Sequence, residues 1–283
     1  MITNDFSILI CTNGHETTKP ALDYGIWLAQ LLEKKVMLLG IDEYPKEKKQ
    51  LDKLLEETAN KLSQRKISFE QRMESDHGTE AIARVVNSGT FLTVVSPLGR
   101  PVWQRVVQGR SYRRLLAKIE TPLLYVPQVC LPLKKMLICV GGLGYATSLE
   151  HLSLFIARAA KADVTLLHVV EPINIEYPTA MEIQHHLDNI LETDTPQAHN
   201  LNQALEEFRT AGLKTEIKVR HGSIVREILY EVHHGDYDLI GLGSPYSTKS
   251  LRHFYTANVT AEVAESIPQP VLSARVGQNL IDN

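Results

Sequence analysis

Two stretches of the chain share one pattern and together indicate its fold. Residues 92–127 have the sequence LTVVSPLGRPVWQRVVQGRSYRRLLAKIETPLLYVP, and residues 239–275 have the sequence LIGLGSPYSTKSLRHFYTANVTAEVAESIPQPVLSAR. Each begins with a short apolar run, continues through Ser-Pro and a polar segment, and closes with a proline before a second apolar run. Short apolar runs of this kind are typical of buried parallel strands. The chain therefore contains two copies of one structural unit.

The repeat extends to the earlier parts of each copy. Residues 10–14 (ICTNG) resemble residues 138–142 (ICVGG), and residues 77–79 (HGT) resemble residues 221–223 (HGS). The distance between matching segments grows along the chain, so the second copy contains small insertions.

The repeat predicts two domains. The first covers residues 1–128 and the second covers residues 134–283, with prolines on both sides of a short linker. The segment near residues 171–202 is an insertion of the second domain.

Each copy alternates apolar runs with amphipathic segments. The predicted strands are 7–11, 36–41, 68–73, 92–95 and 123–126, followed by 136–140, 164–169, 215–219, 239–242 and 271–273. Alternating strands and helices favour a parallel sheet with right-handed crossovers and helices on both faces. The prediction is an α/β fold with two tandem doubly wound, Rossmann-like parallel sheets of five strands. Ligands of such sheets bind at the carboxyl ends of the strands, at the point where the strand order reverses.

Composition excludes several classes of protein. The 283 residues are 43% hydrophobic and 22% charged, which is typical of a globular protein. The net charge of −3 gives no basic field for nucleic acid, and no run of 18 apolar residues exists to cross a membrane. Three cysteines without a CxxC pair favour a reducing compartment, so we expect a cytoplasmic protein with no nucleic-acid or membrane partner.

The most distinctive charged segment is residues 97–118. It contains no acidic residue and six basic ones, namely Arg100, Arg105, Arg110, Arg113, Arg114 and Lys118. Gly99 allows a positive φ, and Gly109 at a helix start exposes backbone N–H groups that bind anions. One interpretation is a site for phosphate or another anion. The other is a solvated basic surface that pairs with acids elsewhere in the chain.

The matching segment of the second copy lacks these features. Neither glycine is present, and the four charges between residues 245 and 266 cancel. An anion site is therefore expected in the first copy and not in the second.

The two-copy pattern resembles the tandem universal stress proteins. Nucleotide-binding members of that family carry the motif G-x2-G-x9-G-[ST] after the fourth strand and an Asp after the first. Here the Asp position is Asn13 in the first copy and Gly141 in the second. The first glycine of the motif is Ser96 in one copy and Ser244 in the other. The final hydroxyl residue of the motif is Arg110 in the first copy and Asn258 in the second.

The resemblance implies a function and a set of site residues. It implies a stress-response sensor or regulator with a modified site for ATP or another adenine nucleotide in the first domain. It also implies that the two copies pack as an internal pseudo-dimer through their last strands. The implied site residues are Thr12, Asn13, Gly14, Gly40 and Ile41 around the base and ribose, and Ser96, Gly99, Gly109, Arg110 and Ser111 around the phosphates.

Two other functions remain open from the residues alone. The first is a ligand-free interaction module whose basic 97–118 surface binds an acidic protein partner, with Trp103 and Tyr112 near the centre of contact. The second is a slow nucleotide hydrolase, although the sequence shows no nucleophile elbow, Walker lysine loop or carboxylate pair. No catalytic residue and no metal ligand is predicted, and a homodimer of tandem chains is compatible with the sequence.

Overall fold

A computed structural model describes most of the chain. The described residues are 6–43, 47–99, 111–119, 121–141, 147–171, 190–244, 253–275 and 280. They contain ten strands, which are β1 (Ser7–Thr12), β2 (Val36–Ile41), β3 (Phe69–Glu74), β4 (Phe91–Val95), β5 (Leu123–Tyr125), β6 (Lys135–Cys139), β7 (Asp163–Val170), β8 (Thr215–His221), β9 (Leu239–Ser244) and β10 (Val271–Arg275).

Eight α-helices alternate with these strands. They are α1 (Lys19–Leu32), α2 (Lys48–Gln64), α3 (Gly78–Val86), α4 (Ser111–Lys118), α5 (Thr147–Ala160), α6 (Pro196–Thr210), α7 (Ile224–His234) and α8 (His253–Ser266). Within the described ranges, none of these helices is long and apolar enough to cross a membrane.

All ten strands belong to one sheet. Their order is β3-β2-β1-β4-β5-β10-β9-β6-β7-β8. The pairs within each half are parallel, and only β5 and β10 pair antiparallel, with Leu272 opposite Leu124. Each half therefore has the order 3-2-1-4-5, and the last strands of the two halves lie side by side. The predicted pair of five-stranded parallel sheets is confirmed, and the antiparallel pair joins them into one internal pseudo-dimer.

The side chains of each strand alternate between two helical layers, as the pleat of a strand requires. In β1, Ile8 and Ile10 belong to the apolar cluster that includes residues of α1, α2, α5 and α6, whereas Leu9 and Cys11 belong to the cluster that includes residues of α3, α4, α7 and α8. Contacts between α1 and α5 on one face and between α4 and α8 on the other connect the two halves. The core is thus continuous across the junction on both faces.

Local sequence explains individual helices of these layers. On α2 the buried residues Leu51, Leu54, Leu55 and Leu62 recur at helical spacing, while the opposite face is charged. The first turn of α6 is fixed by Pro196 and by Thr195, whose hydroxyl accepts a hydrogen bond from the amide of Ala198.

A buried polar contact also crosses the junction between the halves. The Tyr112 hydroxyl on α4 donates to Ser273 Oγ on β10 at 3.3 Å, and Ser273 Oγ donates to the Leu123 carbonyl at 3.3 Å. The rings of Tyr112 and Tyr125 lie 4.6 Å apart, and burial raises the pKa of Tyr112. The expectation that Tyr112 lies on a docking surface is therefore wrong, because its ring fills the interface between the halves. Trp103 lies outside the described residues.

Element boundaries agree with the sequence pattern to within about two residues. The helix expected from Arg110 begins at Ser111 in the described chain. Residues 172–189 lie outside the described part, and Ile190–Glu192 form one 3-10 turn.

The fold predicts that a weaker junction between β5 and β10 strongly lowers the free energy of unfolding. Leu124 on β5 is completely buried, so Leu124→Ala should lower the free energy of unfolding by about 3 kcal/mol, measured by urea denaturation. Met73 on the edge strand β3 is 41% exposed, and Met73→Ala serves as the control with an expected loss of about 0.5 kcal/mol. Equal losses for the two variants would contradict a core that runs through the junction.

An acidic group between α5 and α6 makes stability depend on pH. Burial raises the pKa of Glu150 on α5 from an ordinary value of 4.5 to about 7, and the Glu207 carboxylate on α6 raises it further. A cleft of about 480 Å³ runs beside these helices and is lined by His151, Glu206 and Glu207 among others. The folded protein therefore holds the Glu150 proton more tightly than the unfolded chain does.

The stability that the protonated Glu150 carboxyl contributes is fully present below pH 4.5 and is lost as the pH rises through about 7. Glu150→Gln cannot ionise. Relative to the wild type, this variant should gain about 3 kcal/mol of unfolding free energy between pH 4.5 and pH 8. Urea denaturation of both proteins across this range measures the difference, and a difference independent of pH would show that Glu150 titrates normally.

Candidate functional site

The place where the strand order of the first half reverses lies between β1 and β4. These two strands are neighbours, while β1 also pairs with β2 on its other side. The loops that follow β1 and β4, residues 12–18 and 96–99, meet at the carboxyl ends of the strands. We call the space between these two loops the first crevice. It contains five of the predicted site residues, namely Thr12, Asn13, Gly14, Ser96 and Gly99.

The loop after β1 is held in a compact turn by buried hydroxyl groups. Thr18 Oγ1 donates to the His15 carbonyl at 2.6 Å, so Thr12 Oγ1 must donate the hydrogen bond of 2.7 Å to Thr18 Oγ1. Thr12 Oγ1 also accepts a hydrogen bond from the amide of Gly14. Gly14 has a φ of +86°, and a Cβ there would lie 2.9 Å from Leu51, so the turn requires glycine.

Asn13 connects this turn to the loop after β4. Its Nδ2 donates to the Leu98 carbonyl at 2.9 Å, and its Oδ1 accepts a hydrogen bond from the His15 amide at 3.2 Å. The side chain is buried, with 2% of its surface exposed. An aspartate at this position could not donate to the Leu98 carbonyl. Asn13 therefore makes a contact across the crevice that the Asp of the resembling family could not make.

Thr17 and His15 make two further contacts with the same loop. Thr17 Oγ1 donates to the Pro97 carbonyl at 2.6 Å, and His15 Nδ1 lies 2.9 Å from Thr17 Oγ1. Gly99 has a φ of +63°, and a Cβ on it would overlap the His15 ring. The positive φ of Gly99 was expected from the sequence. His15 and Thr17 were not selected there, and their only signal was their place directly after Asn13.

Ser96 lies at the crevice but is directed away from it. Its hydroxyl is completely buried and donates to the Val126 carbonyl at 2.5 Å. Ser96 therefore ties the end of β4 to the residue after β5. A contact of Ser96 with a phosphate would require its single hydroxyl proton to leave the Val126 carbonyl.

The end of β2 borders the crevice through Gly40, which is opposite Thr12 in the strand register. A Cβ at Gly40 would lie 2.5 Å from the Met73 sulfur and 2.7 Å from a methyl carbon of Leu55, so glycine lets these side chains close over the strand. The adjacent Ile41 is completely buried and belongs to the core beneath α3 and α4. Gly40 is thus at the rim of the crevice, whereas Ile41 supports it from the core.

In the second half, His168 on β7 has the place of Gly40 in the register. Its Nδ1 donates to the Val140 carbonyl at 2.8 Å, since a carbonyl can only accept, and its Nε2 accepts a hydrogen bond from the Gln197 amide nitrogen at 3.1 Å. Burial lowers the pKa of His168, and His221 lowers it further. A neutral imidazole with both nitrogens bonded therefore stands where the first half has only a hydrogen atom.

The described part of the basic 97–118 surface is partly neutralised. Lys118 and Arg114 on α4 both pair with Glu80 on α3, the latter at 4.0 Å. Arg113 is exposed. Ser111 is the first residue of α4, while Gly109, Arg110, Arg100 and Arg105 lie outside the described residues. In this part of the surface, pairing with an acid elsewhere in the chain is confirmed for two of the six basic residues.

Across the described ranges, no group of three or more His, Cys, Asp or Glu side chains is arranged to hold a metal ion.

Comparison with known proteins identifies the family of the second half directly. A model of the universal stress protein family matches residues 132–275. Comparison with curated proteins finds no match.

Solved structures match the whole chain. A universal stress protein from Archaeoglobus fulgidus DSM 4304 is 13% identical, with a TM-score of 0.68 and 96% of each chain covered. A functionally unknown protein from Pseudomonas aeruginosa PAO1 is 14% identical, with a TM-score of 0.70, and the match covers 98% of this chain and 95% of the other. At these identities the likeness shows the tandem fold alone.

The crevice geometry predicts a rescue between two positions. Gly99→Ala should lower the free energy of unfolding by about 2 kcal/mol, because the residue has a positive φ and the new methyl group meets the His15 ring. Combining it with His15→Ala should recover about half of that loss, relative to His15→Ala alone. Urea denaturation of the four proteins gives the coupling energy, and additive losses would show that the ring does not press on Gly99.

Proposed function

Because the chain belongs to the universal stress protein family, we propose that it is a cytoplasmic regulator of the stress response that binds an adenine nucleotide, or a similar phosphate-bearing anion, in its first half. Its proposed domains are residues 1–128 and 134–283. The proposed role is regulatory, because the polar groups of the first crevice are suited to binding. The second half is proposed to hold no nucleotide.

The single observation that carries this proposal is the construction of the first crevice. It lies where the strand order reverses, and a glycine with positive φ stands on each side of it, Gly14 and Gly99. The two glycines let the crevice loops pack against Leu51 and His15, and α4, with its basic residues, follows the second loop. These features support an anion at the entrance of α4.

We assign a proposed role to each site residue from its contacts. Thr12, Gly14, Gly40 and Gly99 border the ligand, Ser96 and Ile41 support the strand ends, and Asn13 must exchange its Leu98 contact for a ribose contact. Gly109, Arg110 and Ser111 are proposed to meet the phosphates, and their role rests on the family motif alone.

Support for a single site per chain comes from His168. A neutral imidazole with two hydrogen-bond partners stands at the strand end where the first half has Gly40 covered by Met73 and Leu55. The second half also lacks the glycines and the basic excess of the first.

A second function, binding of an acidic protein partner without any ligand, is favoured by a different observation. Asn13, His15 and Thr17 join the two crevice loops with contacts inside the chain. In this alternative the exposed Arg113 and the basic residues before α4 would form the docking surface.

Native mass spectrometry of the purified protein, with and without added ATP, separates the two functions. One ATP per chain supports the proposed site. A mass unchanged by ATP, AMP or a cyclic nucleotide would contradict it and leave the protein-binding function.

A pair of matched substitutions tests which half binds. Gly109→Asp should abolish ATP binding, because a carboxylate would enter the anion site, whereas Ala257→Asp at the equivalent position of the second half should leave binding unchanged. Isothermal titration with ATP measures both. A loss with Ala257→Asp alone would place the site in the second half.

A further inference from the structure

We propose that Asn13, His15 and Thr17 form a latch that holds the first crevice shut, and that Thr17 controls how tightly the crevice binds a phosphate-bearing ligand. This inference rests on the proposed function and adds its regulation. The latch is defined as the side chains of these three residues together with the Pro97 and Leu98 carbonyls and Gly99, to which they bind.

Two hydrogen bonds of the latch cross directly between the loops. Thr17 donates to the Pro97 carbonyl at 2.6 Å, and Asn13 donates to the Leu98 carbonyl at 2.9 Å. Both acceptors are consecutive carbonyls of the loop after β4. A ligand that enters between the loops has to break these bonds or rotate the carbonyls away.

The assignment of donors and acceptors shows how His15 supports the hydrogen bond of Thr17 to the Pro97 carbonyl. The Thr17 hydroxyl has one proton, and the Pro97 carbonyl can only accept, so that proton lies between them. The contact of 2.9 Å between Thr17 Oγ1 and His15 Nδ1 then requires a proton on Nδ1. In the other tautomer, Nδ1 accepts a hydrogen bond from the Thr17 amide at 3.2 Å and caps the turn, so the two contacts of Nδ1 exclude each other. In the tautomer with a proton on Nδ1, donors run from imidazole to hydroxyl to carbonyl.

Other contacts fix the turn from the opposite side. Glu16 pairs with Lys19 on α1 at 2.5 Å and accepts a hydrogen bond from Gln50 on α2 at 3.0 Å. These contacts do not involve the loop after β4. When the latch opens, the turn therefore stays attached to α1 and α2, and the loop with Gly99 is the part that is released.

A closed crevice lowers the apparent affinity by the fraction of molecules that are open. Removing one hydrogen bond of ordinary net strength from the latch should raise that fraction, and with it the affinity, about fivefold. This expected increase in affinity is distinctive, because a substitution in a binding site ordinarily lowers the affinity.

The experiment compares three substitutions with the wild type. Thr17→Val removes the hydroxyl at nearly constant shape, and Thr17→Ser retains it. Thr121→Val is the control, because its hydroxyl contacts Thr93 Oγ1 at 3.1 Å, outside both crevice loops. Hydrogen exchange of the segments 12–18 and 96–99 and titration with ATP are measured for each protein.

We expect Thr17→Val alone to speed exchange in both segments and to bind ATP about fivefold more tightly. Thr17→Ser, which tests for a folding defect, should behave as the wild type. Faster exchange without ATP binding in any variant would support the latch and contradict the proposed function. ATP binding that Thr17→Val leaves unchanged or weakens, or unchanged exchange, would overturn the latch.

Discussion

The antiparallel pairing of β5 with β10 is the contact on which the rest of the structure depends. Three residue pairs join the two halves, and the packing of α1 on α5 and of α4 on α8 follows from that register. The pairing also removes two exposed strand edges from the centre of the molecule. The edges that remain are β3 and β8, whose sequences FEQRME and TEIKVRH carry charges of both signs. Charged edge strands resist further sheet growth, so the architecture closes after ten strands.

The two halves share one fold but differ in the residues at the carboxyl ends of their strands. In the first half, glycines and hydroxyl groups let two loops approach each other, and the contacts between them are hydrogen bonds from side chains to backbone carbonyls. In the second half, the end of β7, which is equivalent to the end of β2, carries His168. This side chain is buried, and both of its ring nitrogens have hydrogen-bond partners. Both copies thus retain the sheet, because it depends on the apolar pattern of the strands. The strand ends differ between the copies, because they depend on a few polar residues.

The fold was predictable from the sequence, whereas the crevice was predictable only in outline. Strands such as Val36–Ile41 are apolar throughout, and burial on both faces of a parallel sheet imposes that pattern. The position of the crevice followed from the strand order. The partner of Asn13 did not, because it is a backbone carbonyl 85 residues away, and any residue could supply it. Tyr112 was misplaced for a similar reason, since its neighbours Tyr125 and Ser273 become adjacent only through the junction.

The single antiparallel pair also fixes the directions in which the two halves face. All strands of one half run opposite to all strands of the other, so their carboxyl ends emerge at opposite edges of the sheet. The first crevice and the equivalent strand ends of the second half therefore face opposite directions. The loops at the carboxyl ends of the two halves therefore form two separate surfaces rather than a single enlarged one.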